Sequence, residues 1–260
     1  MTDSDIMKKF TFTMDDNILF FKDIAEKKPK SIFENPYLAM LLRLHQQFDL
    51  KVQLNLFYQT EGFDLSQMPD TYKNEWAKNS DWLKLSFHSK DDSANPYISS
   101  GYDEVFADCS AVNREILRFA GEKTLAKTTT IHYAKATKEG ISATADNGVK
   151  GLLGLFTAGV ESSYEIEGEL VERLEAGELI TIDGMTYAAV DMIINLVTKD
   201  EILPKLEKLF PRDTVRVMIH EQFFYEDYKY YQPDFEEKLA TTFFALCEQG
   251  FESVFFEEII

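Results

Sequence analysis

The chain has little cysteine, and its two cysteines are not spaced for zinc or redox chemistry. Cys109 and Cys247 are far apart in the 260 residues, and no Cys-x-x-Cys spacing occurs. This argues against a zinc knuckle or a redox pair and indicates reduced thiols in a reducing compartment. No long apolar run follows the charged N-terminal residues, and the most apolar later stretch, 151–160, is too short to cross a bilayer. We therefore expect a cytoplasmic protein.

Positive charge is also scarce. The chain carries 27 Lys and Arg against 45 Asp and Glu, which gives a formal net charge of −18 at pH 7. A field of that sign repels nucleic-acid phosphates and anionic membrane surfaces, so we expect neither nucleic acid nor membrane as a partner. The chain also lacks a P-loop, a Gly-x-Ser-x-Gly elbow, a His-Glu-x-x-His motif and an EF-hand loop. These absences disfavour nucleotide hydrolysis and serine hydrolysis.

Apolar residues, by contrast, are sufficient for one large core. Hydrophobic residues make up 45% of the chain and include 21 Phe. The length suits a single barrel domain, and no repeat, low-complexity tract or proline-rich linker divides it. We therefore predict one domain over residues 1–260.

Strand-like and helix-like segments alternate along the sequence. The strand-like segments are 9–15, 52–58, 83–87, 128–132, 149–156, 187–195, 215–219 and 252–257. The helix-like segments are 35–49, 102–119, 137–147, 200–209 and 234–249, and 162–182 is interpreted as an elaborated loop. Parallel strands need crossover connections, so this alternation predicts an α/β fold: one distorted TIM-like (β/α) barrel of seven or eight strands. An open doubly wound sheet is the alternative, and the lack of a Gly-x-Gly-x-x-Gly motif weakens it.

Acidic and imidazole side chains fall where the predicted strands end. Asp15 and Asp16 end the first strand, His88 the third, His132 the fourth and His220 the seventh. In a parallel barrel these ends open on one face. Carboxylates and imidazoles that converge on such a face can bind a divalent metal.

Two short stretches resemble motifs of the polysaccharide deacetylases. TFTMDDN at 11–17 is similar to the opening TFDDG motif of that family, with Met14 inserted and Asn17 in place of Gly. FHSKDD at 87–92 resembles the family's HSxxH motif, with Asp92 at the position of the last His. The resemblance covers most of the chain by the order of its elements, and it implies the NodB-type (β/α) barrel of those enzymes.

The resemblance implies a metal-dependent hydrolase that removes an acyl group from an N-acetyl substrate. Carried over residue by residue, Asp15 matches the general base. Asp16, His88 and Asp92 match the three metal ligands. His220 matches the late general acid by order and strand-end placement. The implied cofactor is a divalent ion such as Zn, Mn, Co or Ni, and an Asp-His-Asp set accepts a harder ion than the Asp-His-His set of the family. The implied substrate is a small molecule or glycan.

Four further residues are predicted to contact the substrate: His132, Tyr133, Glu221 and Tyr225. His132 falls where the deacetylases carry an Arg-Pro-containing segment, which this chain lacks. Aromatic side chains that follow His220 can stack on the C–H faces of sugar rings, although packing against a helix is the commoner role of such residues.

Two other functions fit the same residues. A glycan-binding barrel without catalysis agrees with the altered third ligand and the missing Arg-Pro segment. Asp15 and His220 favour hydrolysis instead, because a pure binder needs no acid and base pair. A metal-independent glycosidase-like barrel would use Asp15 and Glu221 as its two carboxylates. The sequence does not indicate an oligomeric state.

Overall fold

The computed structural model describes residues 7–93 and 97–260. Over these residues the strands are β1 (Lys8–Asn17), β2 (Val52–Phe57), β3 (Gln59–Thr60), β4 (Phe63–Asp64), β5 (Leu83–Ser89), β6 (Thr128–Thr129), β7 (Gly151–Gly154), β8 (Ile180–Ile182), β9 (Met185–Ala189), β10 (Met192–Ile193), β11 (Thr214–His220) and β12 (Phe251–Ser253). The α-helices are α1 (Leu19–Lys27), α2 (Pro36–Phe48), α3 (Lys73–Lys78), α4 (Tyr102–Phe119), α5 (Lys138–Asp146), α6 (Glu169–Glu175), α7 (Lys199–Glu207) and α8 (Phe235–Glu248). None of these helices is long and apolar enough to cross a membrane.

The central strands pair almost entirely in parallel. One sheet has the order β10-β11-β1-β2-β5, with β12 added beside β1, and all of its pairs are parallel. A second sheet has the order β6-β7-β9-β8, in which the β8–β9 hairpin alone is antiparallel. Parallel pairing follows from the helical crossovers between successive strands. The predicted α/β fold is confirmed.

The two sheets meet at two places, so the strands succeed one another around a distorted barrel. Leu85 of β5 forms a parallel bridge with Leu125, and Thr129 of β6 donates its hydroxyl to the carbonyl of Phe87. On the other side, β9 belongs to one sheet and β10, which follows it directly, belongs to the other. The predicted strand at 187–195 is therefore two strands, separated by a break at residues 190–191.

The last strand explains part of the distortion. On β1, the edge opposite β11 is shared by two partners: residues 8–10 pair with β12, and residues 13–17 pair with β2. The amide of Lys51, just before β2, donates to the hydroxyl of Ser253 in β12 at 2.8 Å. Strand β12 thus lies between β1 and β2 at one end of the barrel only. At the other end β1 and β2 pair directly.

Polar and apolar side chains alternate on the central strands, and the polar ones face the barrel interior. In β1, the rings of Phe10 and Phe12 pack on Phe243 of α8, with centroids 5.8 and 4.8 Å apart. Thr11 and Thr13 are buried on the opposite face, because successive side chains of a strand point to opposite sides. The same alternation buries the following polar residues of β2 and β5: Gln53, Asn55, Ser86 and His88. The polar interior leads to the ends of the strands.

The five predicted helices begin and end close to where the sequence places them. Asn35 caps α2 by accepting hydrogen bonds from the amides of Tyr37 and Leu38, and Pro36 occupies the first turn. The observed α4 spans the predicted residues 102–119. The segment 162–182, predicted as a loop, contains α6 and β8, and the sequence did not predict α1 or α3.

Replacing Phe243 by Ala tests how much the α8 contact stabilises the barrel. Phe243 is fully buried against Phe10, Phe12 and Phe48. We expect the Phe243→Ala variant to lose about 3–5 kcal/mol of unfolding free energy in urea denaturation. The neighbouring Phe244 is 58% exposed. Phe244→Ala is therefore the matched control and should change the unfolding free energy by less than about 0.5 kcal/mol. Equal losses in the two variants would contradict the packing described here.

Candidate functional site

Adjacent Asp15 and Asp16 reach the same cavity because β1 is irregular where it ends. The ladder between β1 and β2 shifts register between Met14 and Asn17, so the two aspartates lie opposite a single residue, Asn55. This is a β-bulge, and Asp16 adopts a left-handed conformation with a φ of 63°. Regular strand geometry would point neighbouring side chains to opposite faces. The bulge instead allows both carboxyl groups to line one cavity.

Asn17 holds this bulge in place. Its side-chain amide donates to the carbonyls of Met14, at 2.5 Å, and Asn55, at 3.1 Å. Its side-chain oxygen accepts a hydrogen bond of 2.8 Å from the hydroxyl of Tyr37. Asn17 is buried, so these bonds are shielded from water. A glycine at this position, as in the deacetylase motif, could make none of them.

Asp16, His88 and His132 each direct one atom towards a common point. Asp16 Oδ1 lies 3.0 Å from His88 Nε2 and 3.2 Å from His132 Nδ1, and these two ring nitrogens are 3.0 Å apart. Both imidazoles are buried. One carboxylate and two imidazoles form a donor set for a divalent ion. Ligand atoms about 3 Å apart are also compatible with bonds of about 2.1 Å to a shared ion.

Hydrogen bonds from neighbouring groups orient two of these three donors. His88 Nδ1 lies 2.5 Å from the carbonyl of Thr130, which can only accept, so Nδ1 carries a proton and Nε2 is the ring nitrogen directed at Asp16. Gln222 Nε2 donates to Asp16 Oδ2 at 2.7 Å, which leaves Oδ1 facing the imidazoles. Such outer hydrogen bonds are typical of metal sites, where they fix the direction of each ligand.

The surroundings of the three donors keep Asp16 ionised. Burial opposes ionisation of Asp16, but hydrogen bonds from His132 and His88 hold the pKa of Asp16 well below its usual value. Burial also acts to lower the pKa of His88, but the negative charges of Asp15 and Asp16 outweigh it and raise that pKa. Asp16 is therefore a carboxylate at neutral pH, which is the form that a metal ligand requires.

Asp15 lies beside the three donors and is held by a chain of side-chain hydrogen bonds. Asn55 Nδ2 donates to Asp15 Oδ1 at 2.6 Å. Asn55 Oδ1 in turn accepts from Gln53 Nε2 at 2.8 Å, and Gln53 Oε1 accepts from the hydroxyl of Thr128 at 2.9 Å. Burial raises the pKa of Asp15, although the nearby histidines oppose that shift. A carboxylate with a raised pKa is a better proton acceptor.

His220 ends β11 in register with Asp15 on β1. Its Nδ1 lies 2.9 Å from Asn195 Oδ1, and the same oxygen accepts the backbone amide of His220 at 3.2 Å. Asn195 Oδ1 is therefore an acceptor, so Nδ1 of His220 carries a proton. Nε2 is the ring nitrogen left for exchange with a ligand, in a cavity of about 340 Å³ that His220 lines together with Asp15 and the three donors.

In the structure the third member of the group of donors is His132, whereas the sequence predicted Asp92. Asp92 is exposed and lines a neighbouring cavity of about 350 Å³, outside the three converging atoms. The loop after β5 turns back on itself, because Asp91 Oδ1 accepts the amide and hydroxyl of Ser93. Asp92 lines that neighbouring cavity together with Asp16 and His132, but it is not among the three converging donors. The third donor comes instead from the end of the next strand, which corrects the prediction of an Asp-His-Asp set.

Glu221 and Tyr225 do not reach the cavity. Oε2 of Glu221 accepts the amides of Ile18 and Leu19 at 2.6 and 3.0 Å, and Oε1 accepts the amide of Phe20 and the hydroxyl of Tyr225 at 2.8 and 2.6 Å. The carboxylate thus caps the first turn of α1. Burial raises the pKa of Glu221 to about 7 against these bonds. The prediction that Glu221 and Tyr225 contact substrate is therefore wrong, and the glycosidase alternative loses its second carboxylate.

Tyr133 remains in a position to contact a ligand. It is 51% exposed, has a φ of 59°, and lines both cavities beside the three donors. The sequence did not single out Gln222 or Asn195, which hold Asp16 and His220. Their only local signal is that each follows a predicted strand end, and many polar residues share that property.

Solved structures share this fold, whereas no protein-family model and no curated protein sequence matches the chain. A family 4 acetyl xylan esterase from Clostridium thermocellum, solved with a cobalt ion, has a TM-score of 0.54 and 14% identity, over 97% of this chain and 90% of that one. A CE4 family pseudoenzyme from Bacillus anthracis has a TM-score of 0.53 and 12% identity, over 96% of this chain and 64% of its own. A 4-alpha-glucanotransferase from Thermococcus litoralis has a TM-score of 0.59 and 13% identity, over 97% and 40%.

These likenesses confirm the deacetylase-type barrel and concern the fold alone. The structures that share it include a family 4 acetyl xylan esterase and a CE4 family pseudoenzyme. The chain spans about two thirds of the length of the pseudoenzyme. What this chain does must therefore be argued from its own residues.

Glu221→Ala tests the role of this carboxylate as a helix cap. The variant leaves the amides of Ile18, Leu19 and Phe20 without their buried acceptor. We expect a loss of about 3 kcal/mol of unfolding free energy, measured by urea denaturation. Glu226→Ala is the control on the same loop, since its side chain is not part of this cap. A Glu221→Ala variant as stable as the wild-type protein would contradict the capping role.

Proposed function

We propose that the chain is a metal-dependent hydrolase that removes an acyl group from an amide substrate, in the manner of the carbohydrate deacetylases. The observation that carries the proposal is the convergence of Asp16, His88 and His132 beside two proton-transfer groups, Asp15 and His220. The fold shared with CE4 family enzymes supports it. A small molecule or glycan is the proposed substrate.

Asp16, His88 and His132 would hold the ion. Zn, Mn, Co and Ni all accept a carboxylate and two imidazoles as ligands. When bound, such an ion lowers the pKa of a coordinated water and polarises an acyl carbonyl. The surrounding residues keep the ligand atoms in place: Thr130 fixes the ring of His88, and Gln222 fixes the carboxylate of Asp16.

Asp15 and His220 would move the protons of the hydrolysis. Asp15 accepts a proton from the attacking water, and its hydrogen bond from Asn55 keeps the carboxyl group aimed into the cavity. His220 donates a proton from Nε2 to the leaving amine, because Asn195 holds the opposite side of the ring. The two residues lie on adjacent strands in register, so they flank the same substrate.

A binding protein without catalysis is the second candidate. The chain lacks the Arg-Pro-containing segment of the deacetylases, and one structure with this fold is a CE4 family pseudoenzyme. The retained Asp15 and His220 favour hydrolysis over this alternative. Measurements of metal binding and of acyl release separate the two.

Metal titration of two variants tests the ligand set. We expect His132→Ala to weaken Zn²⁺ or Co²⁺ binding more than about 100-fold in isothermal titration calorimetry, because even outer residues of metal sites contribute 10–100-fold. Asp92→Asn is the matched control and should bind metal as the wild-type protein does. The reverse result, with metal lost in Asp92→Asn and kept in His132→Ala, would restore Asp92 as the ligand.

Asp15→Asn tests the general base. Asparagine can still accept the hydrogen bond from Asn55, so the side chain should keep its place, but it cannot take a proton. With N-acetylglucosamine oligomers as the trial substrate, we expect acetate release to fall about 10²–10⁴-fold while metal content stays the same. Asp92→Asn again serves as the control. If the metal-loaded wild-type protein releases no acyl group from any amide, the binding role becomes the better account.

A further inference from the structure

The cavity around the candidate metal site has two chemically different halves. The half formed by β1, β5 and the turn after β6 carries Asp15, Asp16, His88 and His132. The opposite half comes from the ends of β7, β9, β10 and β11 and from the turn after β10, and its apolar lining residues are Leu155, Val190, Ile193, Leu196 and Met218. A substrate with its acyl group at the three donors therefore meets an apolar wall across the cavity.

The apolar wall extends to the mouth of the cavity, where its side chains are exposed. Leu196 is 69% exposed, and Tyr133 on the facing rim is 51% exposed. Large apolar side chains that are exposed around one cavity mark a site where a ligand removes them from water. This half also holds three polar residues: Asn195 and His220, which are hydrogen-bonded to each other, and Glu161.

We propose that the substrate carries an apolar substituent of several carbons next to the bond that is cleaved, and that this substituent lies against Val190, Ile193 and Met218 beneath Leu196. The proposal rests on the proposed hydrolase function and narrows its substrate class. An acetylated sugar bearing only hydroxyl groups would leave this wall uncovered. The substituent can belong to the acyl group or to the amine, because the acyl carbon joins both.

Two series of hydroxamic acids show whether the apolar substituent belongs to the acyl group or to the amine. Straight-chain alkyl hydroxamic acids, from acetohydroxamic to octanohydroxamic acid, lengthen the acyl side. N-alkyl acetohydroxamic acids lengthen the nitrogen side. In titration calorimetry on the metal-loaded protein, we expect affinity to rise about fourfold per methylene in one series until the wall is covered. Affinity independent of chain length in both series would overturn the proposal.

The position of the bound chain is checked by two further measurements. With ¹³C-methyl methionine, the resonance of Met218, assigned through Met218→Leu, should shift when the longest preferred hydroxamic acid binds. Leu196→Asn should weaken that compound at least tenfold and leave acetohydroxamic acid unaffected. Leu203→Asn, on the 46% exposed Leu203 of α7, is the matched control and should change neither affinity.

The experiments distinguish failure of the apolar-substituent proposal from failure of the proposed hydrolase function. Acetohydroxamic acid that does not bind the protein counts against the metal site. In that case hexan-1-ol, which needs no metal, replaces the hydroxamic acids in the ¹³C-methyl experiment. A shift at Met218 with hexan-1-ol supports the apolar site without the hydrolase, and no shift overturns it. Acetohydroxamic acid that binds as tightly as the longer compounds overturns the apolar substituent alone.

Discussion

The bulge at the end of β1 sets the positions of the two aspartates at the candidate metal site. It allows Asp15 and Asp16 to face one cavity although they are neighbours in the chain. Asn17 holds the bulge from one side. Glu221, from the turn after β11, binds the amides that follow it and so fixes where α1 begins. Without this arrangement one aspartate would point away from the imidazoles, and the two carboxyl groups would not line one cavity.

Contacts between residues far apart in sequence explain which parts of the fold and of the candidate site the sequence failed to predict. Alternation of strand-like and helix-like segments was enough to predict the parallel barrel, and the strand-end rule located Asp16, His88 and His220. The same rule located His132, but the likeness to the HSxxH motif assigned the third ligand to Asp92. The side chain that reaches Asp16 depends on how the loop after β5 turns, which a linear motif does not show. Helix α1 escaped prediction because Ile18 is a poor capping residue and its cap, Glu221, lies 203 positions away.

A buried ion pair fixes the place where the barrel passes from one sheet to the other. Asp191 lies at the break between β9 and β10, and its carboxylate accepts the backbone amide of Arg216 at 2.7 Å. The Arg216 guanidinium is buried and lies 3.6 Å from the same carboxylate oxygen. A buried charge without its partner is strongly unfavourable. The pair therefore holds the break between β9 and β10 against β11. That connection carries the apolar wall, through Val190 and Ile193, to the side of the cavity opposite the metal ligands.

The third donor of the candidate site, His132, follows β6 and does not lie in the loop after β5. No single short motif therefore contains both histidines of the site. In the HSxxH pattern, one short peptide supplies two ligands, so that peptide cannot change in length or composition without loss of the ion. Here residues 89–93 are not among the converging donors, while His132 follows a strand of the barrel. Homologues of this chain would then be recognised by a histidine after the fourth barrel strand, and searches that require both histidines in one motif would pass over them.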